Sequence, residues 1–523
     1  GERMLEVFAK LDPAPATEDV ALSAEPLAKA RASLAQNFDR EYGGFGGAPK
    51  FPHPTTIDRM RRHWRGTAGE AEPDVEALYM AALTLARMAE GGLFDHVGGG
   101  FYRYSVDRYW QIPHFEKMLY DNGPLLALYA QAAIATGDPL FADAANATAD
   151  WMLADMRDAN GGFYATRDAD SEGHEGLYYL WDPDEAREVL GDDYAVFARR
   201  FGLDQDANFE GRWHLTVRQE VGDDEADIIA RAKKALLERR ASRVPPGRDE
   251  KQLTSWNALA IRGLAIAGRA LERPDLVDAA ASAVDFLRHT MLRDGRLLAS
   301  HKDGEAKFMA YLDDHAFLLD ALLELLQARW SAEHLAFAQQ VAELTLQHFG
   351  DAENGGFWFT ADDHEQLIHR NKPLADEAVP SGNGIAALAL QRLGFLLGET
   401  RYLDAAEGTL RAAWRAMDEY PHGHVSLLAA LEEYVEHPEI VVIRGPQDEI
   451  ERWRDSAAKV YAPRRLVFAI PADESGLPGA LADRAPIEGQ AVAYRCLGTH
   501  CEMPVTTWEA LAAQLASSEA PQG

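Results

Sequence analysis

Apolar residues recur at three- and four-residue spacing through ten stretches of the chain: 25–37, 75–88, 124–136, 139–155, 256–270, 274–291, 310–330, 332–348, 384–398 and 402–417. That spacing lays one apolar face along a helix, so ten amphipathic helices are expected, with another at 427–435. Between successive pairs a short glycine-aromatic motif returns: Gly43-Gly44-Phe45, Gly99-Gly100-Phe101, Gly161-Gly162-Phe163, a degenerate Asp294-Gly295-Arg296-Leu297, and Gly355-Gly356-Phe357. Glycine supplies the left-handed backbone of a tight turn, and the aromatic that follows can close the turn over the core. The interval is about 60 residues, except for one near twice that before the degenerate copy, which fits a helical hairpin repeated in series. With His422-Gly423-His424 as a sixth turn, six hairpins closing on themselves give a mainly α protein, an (α/α)6 barrel.

The long interval holds a helix start at Asp182-Pro183-Asp184-Glu185, a short strand at 213–217 and a charged helix at 226–240, read together as a rim insertion over 182–250. Past residue 437 the pattern changes to β-branched apolar runs at 440–443 and 465–470 with a charged helix at 448–460 between them. A third strand at 491–496 and a helix at 507–515 complete a small α/β module. The expected organisation is therefore a linker at 1–24, the barrel at 25–437 and the module at 438–523.

The chain has 523 residues, and 52 basic against 84 acidic side chains give a formal charge of −32. Nucleic-acid and anionic-membrane surfaces need basic patches, so neither partner is expected. No apolar run approaches the roughly 20 residues that span a bilayer, and the start lacks the basic-then-apolar order of a secretion signal. A soluble, cytoplasmic protein is the expectation. The first residue is Gly, as in a fragment or a processed form. Cys496 and Cys501 are the only cysteines, read as free thiols or an incidental pair, with a labile disulfide or a metal contact as alternatives.

Five stretches near the turns hold more polar residues than turns require. The densest is 98–126, where Arg103, Tyr104, Trp110, His114, Glu116, Lys117 and Asp121 crowd together. On a helix His114 and Lys117, or Lys117 and Asp121, would share a face and could pair or pass a proton; the bland alternative is a salt bridge beside a core histidine. Asp168, Asp170 and Glu172 could raise one another's pKa or simply cap a loop. Thr254 or Ser255 reads as a helix cap, with Trp256 and Asn257 suited to stacking on and hydrogen bonding a sugar-like ligand. Tyr311 to His315 adds Asp313, Asp314 and His315 at a helix start, where acids also favour the helix dipole. Finally Ser381 or Asn383 caps a helix entered from Val379-Pro380. If the helices close into a ring, all five converge on one mouth.

Several segments together resemble the spermatogenesis-associated thioredoxin-like proteins and their bacterial relatives: FGGAPKFPHP from Phe45, GGGFYRY and PHFEKMLYDN between Gly98 and Asn122, RDADSEGHEGLYYLW from Arg167, DEKQLTSWNALAI from Asp249, YLDDHAFLLDALLEL from Tyr311 and VPSGNGIAAL from Val379. The resemblance implies an N-terminal thioredoxin-like domain followed by an (α/α)6 barrel similar to N-acylglucosamine 2-epimerases and six-hairpin glycosidases. No Cys-x-x-Cys occurs in this chain, so redox activity is not expected of it.

The expected ligand is a small sugar-like molecule in a polar, aromatic pocket, with no metal and no cofactor. Epimerase-like chemistry needs one group to remove a proton and another to return it on the opposite face, for which His114 and His315 are the candidate pair. An inverting glycosidase would instead place two carboxylates roughly 6.5–9.5 Å apart, Glu116 or Asp121 with Asp168, Asp170 or Asp314. A third possibility is a non-catalytic scaffold binding carbohydrate or protein, in which the aromatics hold a ligand and the charges form a satisfied network. The expected ligand contacts are Arg103, Tyr104, Trp110, Lys117, Asp170, Trp256, Asn257, Ser381 and Asn383.

Overall fold

A computed structural model describes residues 20–365 and 367–517, so most of the segment read as a linker, residues 1–19, lies outside the described residues. Twelve helices build the body: α1 (Glu25–Asn37), α2 (Pro54–Thr67), α3 (Val75–Glu90), α4 (Leu119–Thr136), α5 (Pro139–Trp151), α6 (Thr254–Ala270), α7 (Pro274–Phe286), α8 (Leu312–Ala328), α9 (Ala332–Phe349), α10 (Gly382–Leu397), α11 (Thr400–Glu419) and α12 (Val425–Val435). The even-numbered helices pack in a closed inner ring, α2 on α4, α4 on α6, and so on until α12 returns to α2. The odd-numbered helices back them from outside, and α1, first in the chain, backs the last helix, α12. This is the expected (α/α)6 barrel.

Helix α2 breaks the hydropathy rule that finds the others. Its sequence, PTTIDRMRRHWRGT, buries Arg59, Arg61 and Arg62 beside Ile57 and Met60, and buried arginine is tolerated when carboxylates pair with it. Helix α4 begins at Leu119, earlier than its apolar stripe suggests, which puts Tyr120, Asp121 and Asn122 in its first turns. It meets α6 through glycine: a Cβ on Gly263 would sit 2.2 Å from the Gly123 carbonyl oxygen, so that contact needs bare backbone. The residues before α4 are extended rather than helical. Pro113–His114 pairs with Tyr104–Ser105, and Lys117–Met118 with Thr166–Arg167, so His114 and Lys117 share no helical face.

The glycine-aromatic motif is one turn used repeatedly. Asp39, Asp95, Asp158 and Asp351 each stand a few residues before the glycines and each bond their backbone back across the turn. In three copies a buried lysine joins the aspartate to a turn carbonyl: Lys50 to Asp39 and Gly43, Lys117 to Asp95 and Gly99, Lys372 to Asp351 and Gly355. An asparagine from the following inner helix then grips the turn's phenylalanine by its peptide. Asn122 accepts the Phe101 N–H at 2.7 Å and donates to its carbonyl at 2.9 Å; Asn257 does the same to Phe163 and Asn383 to Phe357. The degenerate copy at Asp294-Gly295 departs from this plan and opens a hairpin of β1 (Arg296–Lys302) and β2 (Glu305–Met309).

The helices Pro183–Leu190, Tyr194–Phe201 and Ala226–Arg240 gather around Trp181, Phe197, Phe201 and Leu236. The strand expected at 213–217 is extended backbone paired by a single bridge, Trp181 to Trp213. Beyond the barrel lies a sheet ordered β4-β3-β5-β6, of β3 (Glu439–Gly445), β4 (Arg465–Pro471), β5 (Val492–Leu497) and β6 (His500–Cys501), flanked by α13 (Gln447–Ala457) and α14 (Trp508–Ser517). It plugs the barrel's far end: the Pro463 carbonyl accepts from Arg62 at 3.4 Å and Arg392 at 3.0 Å, and Arg454 donates to the Ala328 carbonyl at the end of α8. Cys496 and Cys501 are not free thiols; they face each other across β5 and β6 and form a disulfide. Among the described residues no helix is long and apolar enough to cross a membrane.

Candidate functional site

A cavity of about 510 Å³ runs down the barrel axis. Its mouth is formed by the starts of α2, α4 and α12 and by the loop before α10, which contribute Phe51, His53, Tyr120, Asp121, Val379 and His422. Deeper in, Asp58, Arg59 and Arg62 of α2, Arg262 of α6 and Asp320 of α8 form the floor. Phe317, Leu128, Leu259 and Leu388 supply apolar wall between them. A concave site of this size with a few convergent polar groups has the character of a small-molecule pocket.

The floor belongs to a buried ionic web. Glu432 bridges Arg59 at 3.0 Å and Arg62 at 2.6 Å, Glu433 bridges Arg62 at 2.8 Å and Arg392 at 2.6 Å, and Asp320 holds Arg262 at 2.7 Å. Arg269 pairs with Glu324 and Arg61 with Asp58. Among the described residues the web sets six guanidinium groups against five carboxylates, an excess of one positive charge inside an acidic protein.

Asp121 is the exceptional group at the mouth. Its residue is 6% exposed and its Oδ2 has no hydrogen-bond partner. Burial pushes its carboxyl well above the usual carboxylate range, opposed by Arg103 and reinforced by Glu116, which favours the protonated form. Beside it Arg103 donates from Nε to the Tyr120 hydroxyl at 3.1 Å and from a terminal nitrogen to Glu116 at 2.9 Å. Behind that pair, His114 Nε2 lies 3.3 Å from Glu116 and Nδ1 lies 2.7 Å from Glu175. Tyr104 stacks on His114 on one side and meets Phe51 of the mouth on the other. His114, Glu116 and Tyr104 thus brace the wall from behind, while Arg103 and Asp121 line the cavity itself. Trp256 stands edge-on behind Tyr120, ring centroids 4.8 Å apart.

The other expected site residues have structural occupations. Trp110 is fully buried and donates to the Tyr42 carbonyl. Lys117 is locked to Asp95 and Gly99, and Asn257 and Asn383 grip turn peptides. Ser381 caps α10 by accepting the Gly384 N–H. The α6 start has no cap from Thr254 or Ser255; Asp314 instead accepts the Ser255 N–H and the Tyr311 N–H, each at 2.8 Å. His315 is buried against Phe349 with its Nδ1 on the Tyr311 carbonyl, and burial lowers its pKa to about 4. It is outside the cavity lining, so it does not oppose His114 across a ligand. Asp168 and Asp170 are exposed on their loop; that loop's contribution is Glu175, the partner of His114.

Two histidines that do line the cavity, His53 and His422, carried no distinguishing pattern beyond their turns. Water reaches the His53 ring from the cavity, and protein packed around the rest of it lowers its pKa by desolvation. Its imidazole is therefore neutral at physiological pH. His422 places Nδ1 3.2 Å from the Ser33 hydroxyl. Asp376, also at the mouth, accepts from the Ser381 N–H at 2.8 Å, the Ser426 N–H at 2.9 Å and the Ser426 hydroxyl.

No family model matches the chain. Among curated proteins it is 29% identical over 527 residues to human spermatogenesis-associated protein 20, covering 90% of this chain and 67% of the human one. The rat counterpart is 30% identical, covering 90% and 66%, and an uncharacterised Caenorhabditis elegans protein is 29% identical, covering 96% and 75%. The chain spans about two thirds of the length of these mammalian relatives. Solved structures similar to it include cellobiose 2-epimerase from Spirochaeta thermophila, with a TM-score of 0.49, 15% identity and coverage of 79% of this chain and 98% of that one. Another is a GH76 α-mannanase from Bacteroides thetaiotaomicron, with a TM-score of 0.44, 11% identity and coverage of 78% and 92%. Homologues of this chain thus include the mammalian spermatogenesis-associated protein 20 chains.

Proposed function

We propose that the barrel cavity binds a sugar-like ligand and that Asp121 supplies a proton to it. The observation that carries this reading is a buried carboxyl with an unpartnered oxygen, its protonated form favoured by burial, at the mouth of a sugar-sized cavity. An acid that is neutral at pH 7 can donate a hydrogen bond or a proton, and such carboxyls concentrate where proton transfer is done. The complementary acceptor is His53, which lines the mouth with its imidazole in the neutral form that can take a proton. In epimerase-like exchange His53 removes the hydrogen next to a sugar carbonyl, and Asp121 returns one to the other face. Arg103 and Tyr120 hold the ligand's oxygens, with Glu116 and His114 fixing the arginine.

A hydrolytic reading would use the same acid with a carboxylate base. Asp376 shares the cavity, yet its oxygens already accept from Ser381 and Ser426, so proton exchange is the better supported chemistry. In the intact protein a thioredoxin-like domain, implied by the family resemblance, would be the barrel's covalent partner.

The test is solvent exchange. A panel of free and N-acylated sugars incubated with the chain in heavy water should take up deuterium at the carbon beside the carbonyl, and D121N should reduce uptake by about 100-fold or more. Absence of exchange across the panel, or exchange undiminished in D121N, would remove Asp121 from the chemistry.

A further inference from the structure

The arginines that line the cavity are unequally committed. Arg62 divides its nitrogens among Glu432, Glu433 and the Pro463 carbonyl. Arg59 gives both terminal nitrogens to Glu432 and leaves its buried Nε without a partner. Arg262 gives only Nε, to Asp320 at 2.7 Å. Its two terminal nitrogens make no hydrogen bond to any described residue, and its side chain is 27% exposed, opening on the cavity. Higher on the wall Arg103 also keeps one terminal nitrogen unbonded.

The terminal pair of a guanidinium is the edge that takes a carboxylate or a phosphate in two parallel hydrogen bonds. An arginine whose Nε is anchored by a neighbouring carboxylate presents that edge in a fixed direction. The surroundings favour an anion as well. The ionic web carries one more guanidinium than carboxylate. Of the acids lining the mouth, Asp121 is pushed toward its neutral form by burial, Asp376 has its oxygens taken by Ser381 and Ser426, and Glu377 sits exposed on the outer loop. Asp58 is paired with Arg61, and Asp320, which takes only the Nε of Arg262, also faces Arg392 at 3.8 Å. A positive excess enclosed in low-dielectric walls acts more strongly than the same charge at a surface.

We infer that the ligand of this cavity is an anionic sugar, one bearing a carboxylate or a phosphate, with its charged group on the terminal nitrogens of Arg262 and its hydroxyl or carbonyl end toward Arg103, Tyr120 and Asp121. The inference rests on the sugar reading proposed above and names its substrate class.

Calorimetric titration of the chain with matched pairs tests it: glucose with glucuronate and glucose 6-phosphate, galactose with galacturonate, and lactate as an anion without the sugar. In at least one set the acidic sugar should bind about 10-fold or more tightly than its neutral parent, with affinity falling as salt is raised. R262Q should bring that ratio to within about twofold of unity, and R262K should restore part of it. The better ligand of glucuronate and glucose 6-phosphate identifies the anionic group. Neutral sugars binding as tightly as acidic ones would overturn the inference and leave the sugar reading standing. Lactate matching glucuronate while no neutral sugar binds would overturn the sugar reading, and no binding by any of these ligands would overturn both. Should R262Q fail to fold, the acidic-to-neutral ratio and its salt dependence in the unaltered chain decide the matter.

Discussion

The glycine-aromatic turns and the cavity mouth use the same residue types and spend them in opposite ways. In the turns the aspartates, lysines and gripping asparagines are spent on fixed partners: Lys117 on Asp95 and the Gly99 carbonyl, Asp95 on Lys117 and Arg240, Asn383 on both polar atoms of the Phe357 peptide. Among the described residues Asp121 Oδ2 at the mouth has no partner, and deeper in neither terminal nitrogen of Arg262 makes a hydrogen bond. A saturated buried group stabilises a fold, whereas an unsaturated one costs stability until a ligand completes it. The difference between these turns and the cavity is thus one of unspent hydrogen bonds rather than of polarity.

Substitutions should separate the two regions. The largest effect is expected from D95A, which strips Lys117 and Arg240 of their shared carboxylate and leaves two buried cations, costing about 3–5 kcal/mol in denaturant unfolding. A loss below about 1 kcal/mol would show that water reaches the turn. Next, D313N should expose a pH linkage. Burial, helped by Asp314, pushes the Asp313 carboxyl up to about 7, so folding favours its protonated form. That contribution is complete below the unfolded carboxylate pKa and is lost as pH rises through about 7. D313N cannot ionise and should gain on the unaltered chain between pH 4 and 8 by roughly 2–4 kcal/mol; parallel melting-temperature profiles would contradict this.

N383A removes the grip on Phe357 and should cost about 1–3 kcal/mol without any change in ligand affinity per folded molecule. D121N should show a pH linkage of the same sign as D313N, level with the unaltered chain at acidic pH and relatively more stable as pH rises, because the raised Asp121 pKa penalises folding there. A D121N chain that loses stability as pH rises would place Asp121 among the saturated groups.

The apolar periodicity made most of the ring legible, and the recurring Gly-Gly-Phe made the repeat legible. Helix α2 was not, because its buried face is filled by Arg59, Arg61 and Arg62 and hydropathy cannot register burial achieved by pairing. Asp121 and Arg103 stood out as members of a polar crowd, but what separates them from Lys117 and Trp110 is which atoms find partners, a property of three-dimensional neighbours. The asparagines offered a readable signal: each Gly-Gly-Phe turn with a grip has one asparagine near the start of the next inner helix, a pairing that marks Asn122, Asn257 and Asn383 as parts of the repeat. His53 and His422 had no such signal, since only ring closure brings the second and twelfth helices together.

That closure has a kinetic side. The carboxylates that neutralise Arg59 and Arg62 lie more than 360 residues downstream, at separations of 373 for Arg59 to Glu432 and 371 for Arg62 to Glu433. Contacts so distant in sequence form late, after a large loss of chain entropy. A nascent chain lacking α12 would hold its first inner helix as an exposed cationic strip with nothing to bury it. The ionic web therefore ties a finished barrel to synthesis of its final hairpin, and makes premature ends the truncations this fold can least absorb.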